Sequence, residues 1–264
     1  MSTILSRLLV AVVLLPPVLL LIYGGGWWLF GLAAGAAALA LHEFYEMTRG
    51  LRPVLVAGYL GTLAALIGAE WGLAWAVAGF LSTFAFSFVF KGLAGVRPTL
   101  VSVAATVLGV AWIGLGLAHV VLIRDLAEHG RLAAFTLLLT VFASDTAAFV
   151  TGRLVGRHKL APHTSPGKTW EGFIAGTIVA LLVPFFALYD EGFLDVPESL
   201  ALGGVIAVAA PIGDLFESAL KRDAGVKDTG RLLLGHGGML DRIDALLFAA
   251  VASYYLLLAF GAAS

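Results

Sequence analysis

Residues 199–221 read Ser199-Leu-Ala-Leu-Gly-Gly-Val-Ile-Ala-Val-Ala-Ala-Pro211-Ile-Gly-Asp214-Leu-Phe-Glu217-Ser218-Ala-Leu-Lys221. From Ser199 to Gly213 there is no charged side chain. A helix of this length crosses a hydrocarbon core about 30 Å thick, which needs roughly 20 apolar residues. Asp214, Glu217 and Lys221 follow at spacings of three and four, so all three share one helix face. An ionisable group inside a membrane helix costs at least about 2.5–3.5 kcal/mol, so that face turns toward protein or water and not toward lipid. One stretch thus points to a membrane helix and to polar chemistry at one end of it.

The rest of the chain has the same character. Of 264 residues, 60% are hydrophobic and 12% charged, against roughly 25% charged in a soluble domain. Mean hydropathy is +0.99. This excludes a soluble globular enzyme, a disordered chain and a basic nucleic-acid binder. The net charge of −1 provides no field to recruit nucleic acid. With no cysteine, disulfides, zinc–thiolate sites and a cysteine nucleophile are excluded.

Charges and Gly/Pro clusters divide the chain into nine apolar stretches, near 4–23, 27–43, 54–70, 72–91, 100–123, 131–152, 172–189, 199–220 and 241–261. The expected fold is therefore an all-α polytopic membrane protein of about nine transmembrane helices. The first stretch, with Arg7 ahead of it, has a competing reading as a secretory leader; an uncleaved span is expected. Nine spans place fourteen of the sixteen Lys and Arg residues on one side, leaving only Arg124 and Arg131 opposite. Cytoplasmic loops are enriched in these residues, so the N-terminus is expected in the cytoplasm and the C-terminus outside. Residues 1–140 read as apolar helices for packing and dimerisation. Residues 141–264 read as the chemical region, with two cytoplasmic connectors near 152–171 and 221–240.

Asp241 and Asp244 repeat the three-residue spacing of Asp214 and Glu217 at the start of the ninth stretch. Clustered carboxylate oxygens suit Mg²⁺, which is ordinarily held by one or two carboxylates plus substrate phosphates. Interfacial charges that hold helix ends at the membrane surface are the plainer reading of either pair alone. The connector between the pairs carries Lys221, Arg222, Lys227 and Arg231, which favours a cation and phosphate site. Glycines flank His236, where the backbone can approach an anion closely; a flexible turn with a solvated histidine is the alternative. Ser165-Pro-Gly-Lys168-Thr169 suggests a P-loop but lacks its first glycine, which falls on Pro162. Lys168 can still meet phosphate as a point charge, whereas Arg153 and Arg157 follow from charge asymmetry alone. Asp145, near the end of the sixth stretch, is a further candidate, with helix packing as its rival role.

Ser218-Ala-Leu-Lys221-Arg222-Asp-Ala-Gly225-Val-Lys227-Asp228-Thr-Gly230, followed by Gly235-His236-Gly237-Gly238-Met-Leu-Asp241-Arg242-Ile-Asp244, resembles the signature of phosphatidate cytidylyltransferases. Ser144-Asp145-Thr146 through His158-Lys159-Leu-Ala-Pro162 and Ser165-Pro-Gly-Lys168-Thr-Trp-Glu171-Gly172 resembles that family's second landmark. Two positions depart: Leu234 stands where proline is usual, and Ala147 where glycine is common. Neither change removes a ligand.

The resemblance implies transfer of the cytidylyl group of CTP to phosphatidic acid, with Mg²⁺ required and room for a second metal or a monovalent cation. Asp214, Asp241 and Asp244 would hold metal. Lys221, Arg222 and Lys227 would bind phosphates, and Asp228 would orient a lysine or join the metal site. His236 would donate to a phosphate or position the nucleoside, with Asp145, Ser165, Lys168 and Ser218 completing the site. It also implies a homodimer; the charge asymmetry and the cytoplasmic supply of CTP point to a bacterial inner membrane with the active site facing the cytoplasm, and the net charge to no nucleic-acid partner. The lipid's phosphate monoester is largely ionised near neutral pH, with a second pKa of about 6, so no strong base is required. A CTP-dependent lipid-alcohol kinase and a proton- or ion-coupled transporter are the competing classes. The transporter is disfavoured because the acidic residues gather at one face and no repeat pairs broken helices.

Overall fold

The computed structural model describes residues 16–188, 191–230 and 237–261. Residues 16–24 are helical. They are followed by α1 (Gly26–Met47), α2 (Leu55–Ala69), α3 (Leu73–Leu93) and α4 (Leu100–Arg124), the last containing a π-helical turn at Val110–Gly114. Next come α5 (Gly130–Val155), β1 (Lys159–Ala161), β2 (Ser165–Thr169), α6 (Trp170–Leu188), α7 (Val196–Asp223) and α8 (Leu240–Ala259). Among the described residues, seven helices are long and apolar enough to cross a membrane; α2, with 15 residues, is shorter. Among the described residues a helix lies on each expected apolar stretch from 27–43 onward, and residues 16–23 of the first are helical, because a backbone in lipid must satisfy its hydrogen bonds within its own segment.

The chain forms two compact units. The first comprises residues up to Asp125 together with Gly230–Leu240, and the second comprises Leu126–Thr229 together with the residues from Asp241 onward. This boundary differs from the division in polar character near residue 140, because compactness follows helix packing and not the placement of charges.

In the first unit, α1 buries Leu29, Ala33, Ala37, Ala40, Leu41 and Phe44. These recur at the three- and four-residue spacing of one helix face. Phe44 meets Trp112 of the π turn edge-on at 5.9 Å. The Tyr45 hydroxyl donates to the Thr106 carbonyl at 3.0 Å, and Thr106 Oγ1 accepts from Val54 N at 2.7 Å. Helices α1 and α4 and the turn before α2 are thereby fastened to one another.

In the second unit, α5 packs along α6 and α6 along α7. The α5–α6 approach is close: a Cβ on Gly172 would stand 2.5 Å from the carbonyl oxygen of Ala148. Helix α7 begins with a reciprocal cap. Asp195 Oδ1 accepts from Glu198 N at 2.8 Å, and Glu198 Oε2 accepts from Asp195 N at 3.0 Å. Pro211 lies inside α7 and has no N–H to offer the preceding turn.

The 152–171 connector holds a short stretch of sheet in an otherwise helical fold. It forms an antiparallel hairpin pairing Lys159 with Thr169 and Ala161 with Ser165. Pro162, His163 and Thr164 make its turn, where a missing proline donor interrupts no ladder bond. Antiparallel neighbours bring the ends of α5 and α7 and the starts of α6 and α8 to the same end of this unit, together with the hairpin.

Candidate active site

A cavity of about 490 Å³ opens among α5, the hairpin, α6 and α7, a volume within the range of small-molecule sites. Asp145, Lys159, Ser165, Lys168 and Asp214 supply its polar wall; Phe149, Phe173, Ala210 and Pro211 supply much of its apolar wall. The hairpin sends Lys168 inward. Its Nζ lies 2.7 Å from Asp214 Oδ2, on a residue about 14 Å inside the end of α7 at 1.5 Å per residue. Ser218 Oγ, one turn further along α7, donates to Asp214 Oδ1 at 3.3 Å.

A second group sits where α7 ends and α8 begins. Lys221 Nζ donates to Glu217 Oε2 and to Asp241 Oδ1, both at 2.6 Å. The Thr229 amide donates to Asp241 Oδ2 at 3.2 Å. Glu217 is 1% exposed and Asp244 7% exposed. Asp244 pairs with Glu217 and lies within electrostatic reach of Asp214; its Oδ1 accepts from the Ala245 amide at 2.8 Å. Close helix contact makes this possible, since a Cβ on Gly213 would stand 2.5 Å from the Asp244 carbonyl oxygen.

Gathering five carboxylates, two of them buried, is tolerable only with counter-charge. Asp145, Asp214, Glu217, Asp241 and Asp244 are faced by Lys168, Lys221 and Arg242. Arg153 and Lys159 line the same cavity, while the two most buried carboxylates, Glu217 and Asp244, lie deepest in the group. Among the described residues, no group of three or more His, Cys, Asp or Glu side chains is arranged to hold a metal ion.

The structure therefore brings together Asp145, Ser165, Lys168, Asp214 and Ser218 at the cavity, and Glu217, Lys221, Asp241 and Asp244 beside it. Lys221, expected to meet substrate phosphate, is instead held between two carboxylates. Arg222 Nε donates to the Thr164 carbonyl in the hairpin turn at 3.4 Å. Lys227 and Asp228 are exposed in the turn after α7. His236 and Arg231 lie outside the described residues.

Sequence reading missed the residues that secure the hairpin. His158 Nδ1 donates to Glu171 Oε1 at 2.6 Å, and the His158 amide approaches both Glu171 oxygens at 3.2 and 3.3 Å. Thr169 Oγ1 accepts from Gly172 N at 3.2 Å. A threonine just ahead of an apolar helix is a readable cap signal. The His158–Glu171 pairing has no local periodic signature.

Residues 5–260 match the cytidylyltransferase family. A phosphatidate cytidylyltransferase of Staphylococcus haemolyticus (strain JCSC1435) is 42% identical over 153 residues, covering 58% of each chain. One of Staphylococcus aureus (strain COL) is 40% identical over 153 residues, again covering 58% of each. The chain thus spans a little over half the length of these two relatives. One of Staphylococcus epidermidis (strain ATCC 35984) is 33% identical over 219 residues, covering 80% of this chain and 83% of the relative. The match over nearly the whole length places the chain in a known group: it belongs to the cytidylyltransferase family.

Proposed function

We propose that this protein transfers the cytidylyl group of CTP to phosphatidic acid, giving CDP-diacylglycerol and pyrophosphate for phospholipid synthesis. The observation that carries the reading is the cavity at Lys168 and Asp214, with a polar wall and a larger apolar one, beside the Glu217–Lys221–Asp241 group. Its polar wall suits phosphates and its apolar wall suits a lipid. Relatives named phosphatidate cytidylyltransferase add support.

In this reaction a phosphate oxygen of the lipid attacks the α-phosphorus of CTP. A new P–O bond forms, the α–β bridge breaks, and pyrophosphate leaves with the electron pair. The protein has to align two polyanions and offset their charge. Lys168, on a hairpin strand, offers its ammonium to an incoming phosphate from its place on Asp214, with Ser165 beside it. Lys221, Arg222 and Lys227 add positive charge where the connector begins. Asp145 and Ser218 shape the hydrogen bonding of the cavity, Asp228 orients a neighbouring lysine, and His236 donates to a phosphate or the nucleoside.

The donor chemistry, several hard carboxylate oxygens near one another, is of the kind Mg²⁺ takes together with substrate phosphates, although the described side chains do not by themselves form a three-ligand site. Asp214, Asp241 and Asp244 are the residues that would hold it, with a second metal or a monovalent cation accommodated nearby. Bound there, the ion would supply charge stabilisation for the departing pyrophosphate.

The nine-span reading, with a cytoplasmic N-terminus and an external C-terminus, puts this site at the cytoplasmic face of a bacterial inner membrane, where CTP is available. Residues 1–140 would then serve packing and a homodimer contact, and residues 141–264 the chemistry. The deciding experiment supplies purified protein in liposomes with CTP and phosphatidic acid. Lipid-dependent pyrophosphate release with a lipid-linked cytidine product supports the reading. CDP release would indicate a kinase instead, and solute flux without either product would indicate a transporter.

A further inference from the structure

Glu43 lies in the apolar helix α1 and is only 6% exposed. A buried carboxylate needs donors, and this one takes them from the far end of the chain. Oε1 accepts from the Met239 amide and Oε2 from the Leu240 amide, each at 2.9 Å. Leu240 opens α8, whose first amides have no partner within the helix. A negative charge at that end is also favoured by the helix dipole.

The same carboxylate meets the other end of the glycine-rich connector. A Cβ on Gly230 would stand 2.6 Å from Glu43 Oε1 and 2.9 Å from its Cδ, so only glycine fits there without displacing the side chain. Glu43 is itself held firmly. Its neighbours Phe44 and Tyr45 are buried, Phe44 against Trp112 and Tyr45 on the Thr106 carbonyl. A rigid helix therefore presents one carboxylate to both ends of a connector 196 residues away in sequence.

We propose that Glu43 is a positioning residue for the glycine-rich connector. It staples Gly230 to Met239–Leu240 and caps the first amide of α8. Such a staple removes loop freedom that nucleotide binding would otherwise have to remove. The catalytic consequence rests on the cytidylyl-transfer reading; the staple itself does not.

The test uses the full chain in detergent and in liposomes. Amide exchange is followed by mass spectrometry across Met239–Leu240, and steady-state kinetics are run with CTP and phosphatidic acid. In Glu43→Gln, exchange at these amides should quicken at least about tenfold, since a charged acceptor is lost. KM for CTP should rise about tenfold while the melting temperature changes little, a split that general destabilisation would not produce. Glu43→Asp, which keeps both acceptor oxygens, should recover part of the loss. Gly230→Ala should reproduce the Glu43→Gln pattern by displacing the side chain, and it decides the matter if Glu43→Gln fails to fold. Glu46→Gln, at an exposed position of the same helix, should change nothing. Unchanged exchange at Met239–Leu240 overturns the staple, and faster exchange with an unchanged KM for CTP overturns its positioning role in nucleotide binding. If the wild-type protein releases no pyrophosphate, the functional reading fails while the exchange measurement still decides the staple.

Discussion

Lys168 Nζ lies 2.7 Å from Asp214 Oδ2, joining a β-hairpin outside the helices to a carboxylate well inside α7. The side chains are 23% and 29% exposed, so the pair is only partly screened by water. Either partner alone leaves an uncompensated charge at the cavity. Lys168→Met and Asp214→Asn should each lower pyrophosphate release about 100-fold, the scale of losing one electrostatic stabiliser of a transition state. The double variant should lose much less than the product of the two. Strictly multiplicative losses in that cycle would show that the residues act independently.

Lys221 is a different case, because its environment is closed. Its side chain is 13% exposed, between Glu217 at 1% and Asp241 at 12%. Removing one partner from a buried charged group costs about 3–5 kcal/mol. Lys221→Met should therefore lower thermal stability in detergent substantially, and Lys221→Met with Glu217→Gln should recover part of it. A melting temperature unmoved by Lys221→Met would contradict the charge-balancing position.

The gathered carboxylates predict a response to divalent cations. Chelation with EDTA should abolish activity, and added Mg²⁺ should restore it. Asp241→Asn should raise the Mg²⁺ concentration needed for half-maximal rate at least about tenfold, in line with losing an ionised ligand. A variant with normal activity at ordinary Mg²⁺ would remove Asp241 from the metal site.

Helix spacing offers a test that does not involve the chemistry. Because a Cβ on Gly172 would stand 2.5 Å from the Ala148 carbonyl oxygen, Gly172→Ala must push α6 away from α5. Overpacking of this kind costs about 1–3 kcal/mol. Thermal denaturation should register that loss, and activity should fall with it because the cavity lies between these helices and α7.

Asp125 and Glu70 lie just beyond helix ends, and burial followed by their mutual repulsion raises the Glu70 carboxyl. Burial likewise raises Asp125, against the pull of Arg124. A carboxyl raised in the folded state favours the fold while protonated, and that advantage fades as pH climbs through the raised value. Asp125→Asn should therefore increase the melting temperature at pH 8 and make no difference near pH 3. A benefit that persisted at low pH would rule out charge as its source.

Much of the architecture was legible in advance. Among the described residues, helices fall on the expected apolar stretches because hydropathy and the helical repeat are local properties. Asp214, Glu217 and Lys221 were readable as one helix face for the same reason. The hairpin was not, since strands of three and five residues containing Pro166 and Gly167 have no alternating pattern. Nor was Glu43, one acidic residue near the end of an apolar helix, which by itself reads as an interfacial charge.

The sequence alone determined the class of protein and the chemical groups available to it. Apolar runs of about 20 residues form helices in lipid whatever their neighbours are, and the charges left over are few enough to mark a site. Only the tertiary structure decided how those groups pair: Lys168 with Asp214, Lys221 with both Glu217 and Asp241, and Glu43 with Met239 and Leu240. Pairing depends on distance through space, and helix packing brings together residues 20, 46 and nearly 200 positions apart in the chain. No local pattern records those distances, because each is set by the close approach of separate helices.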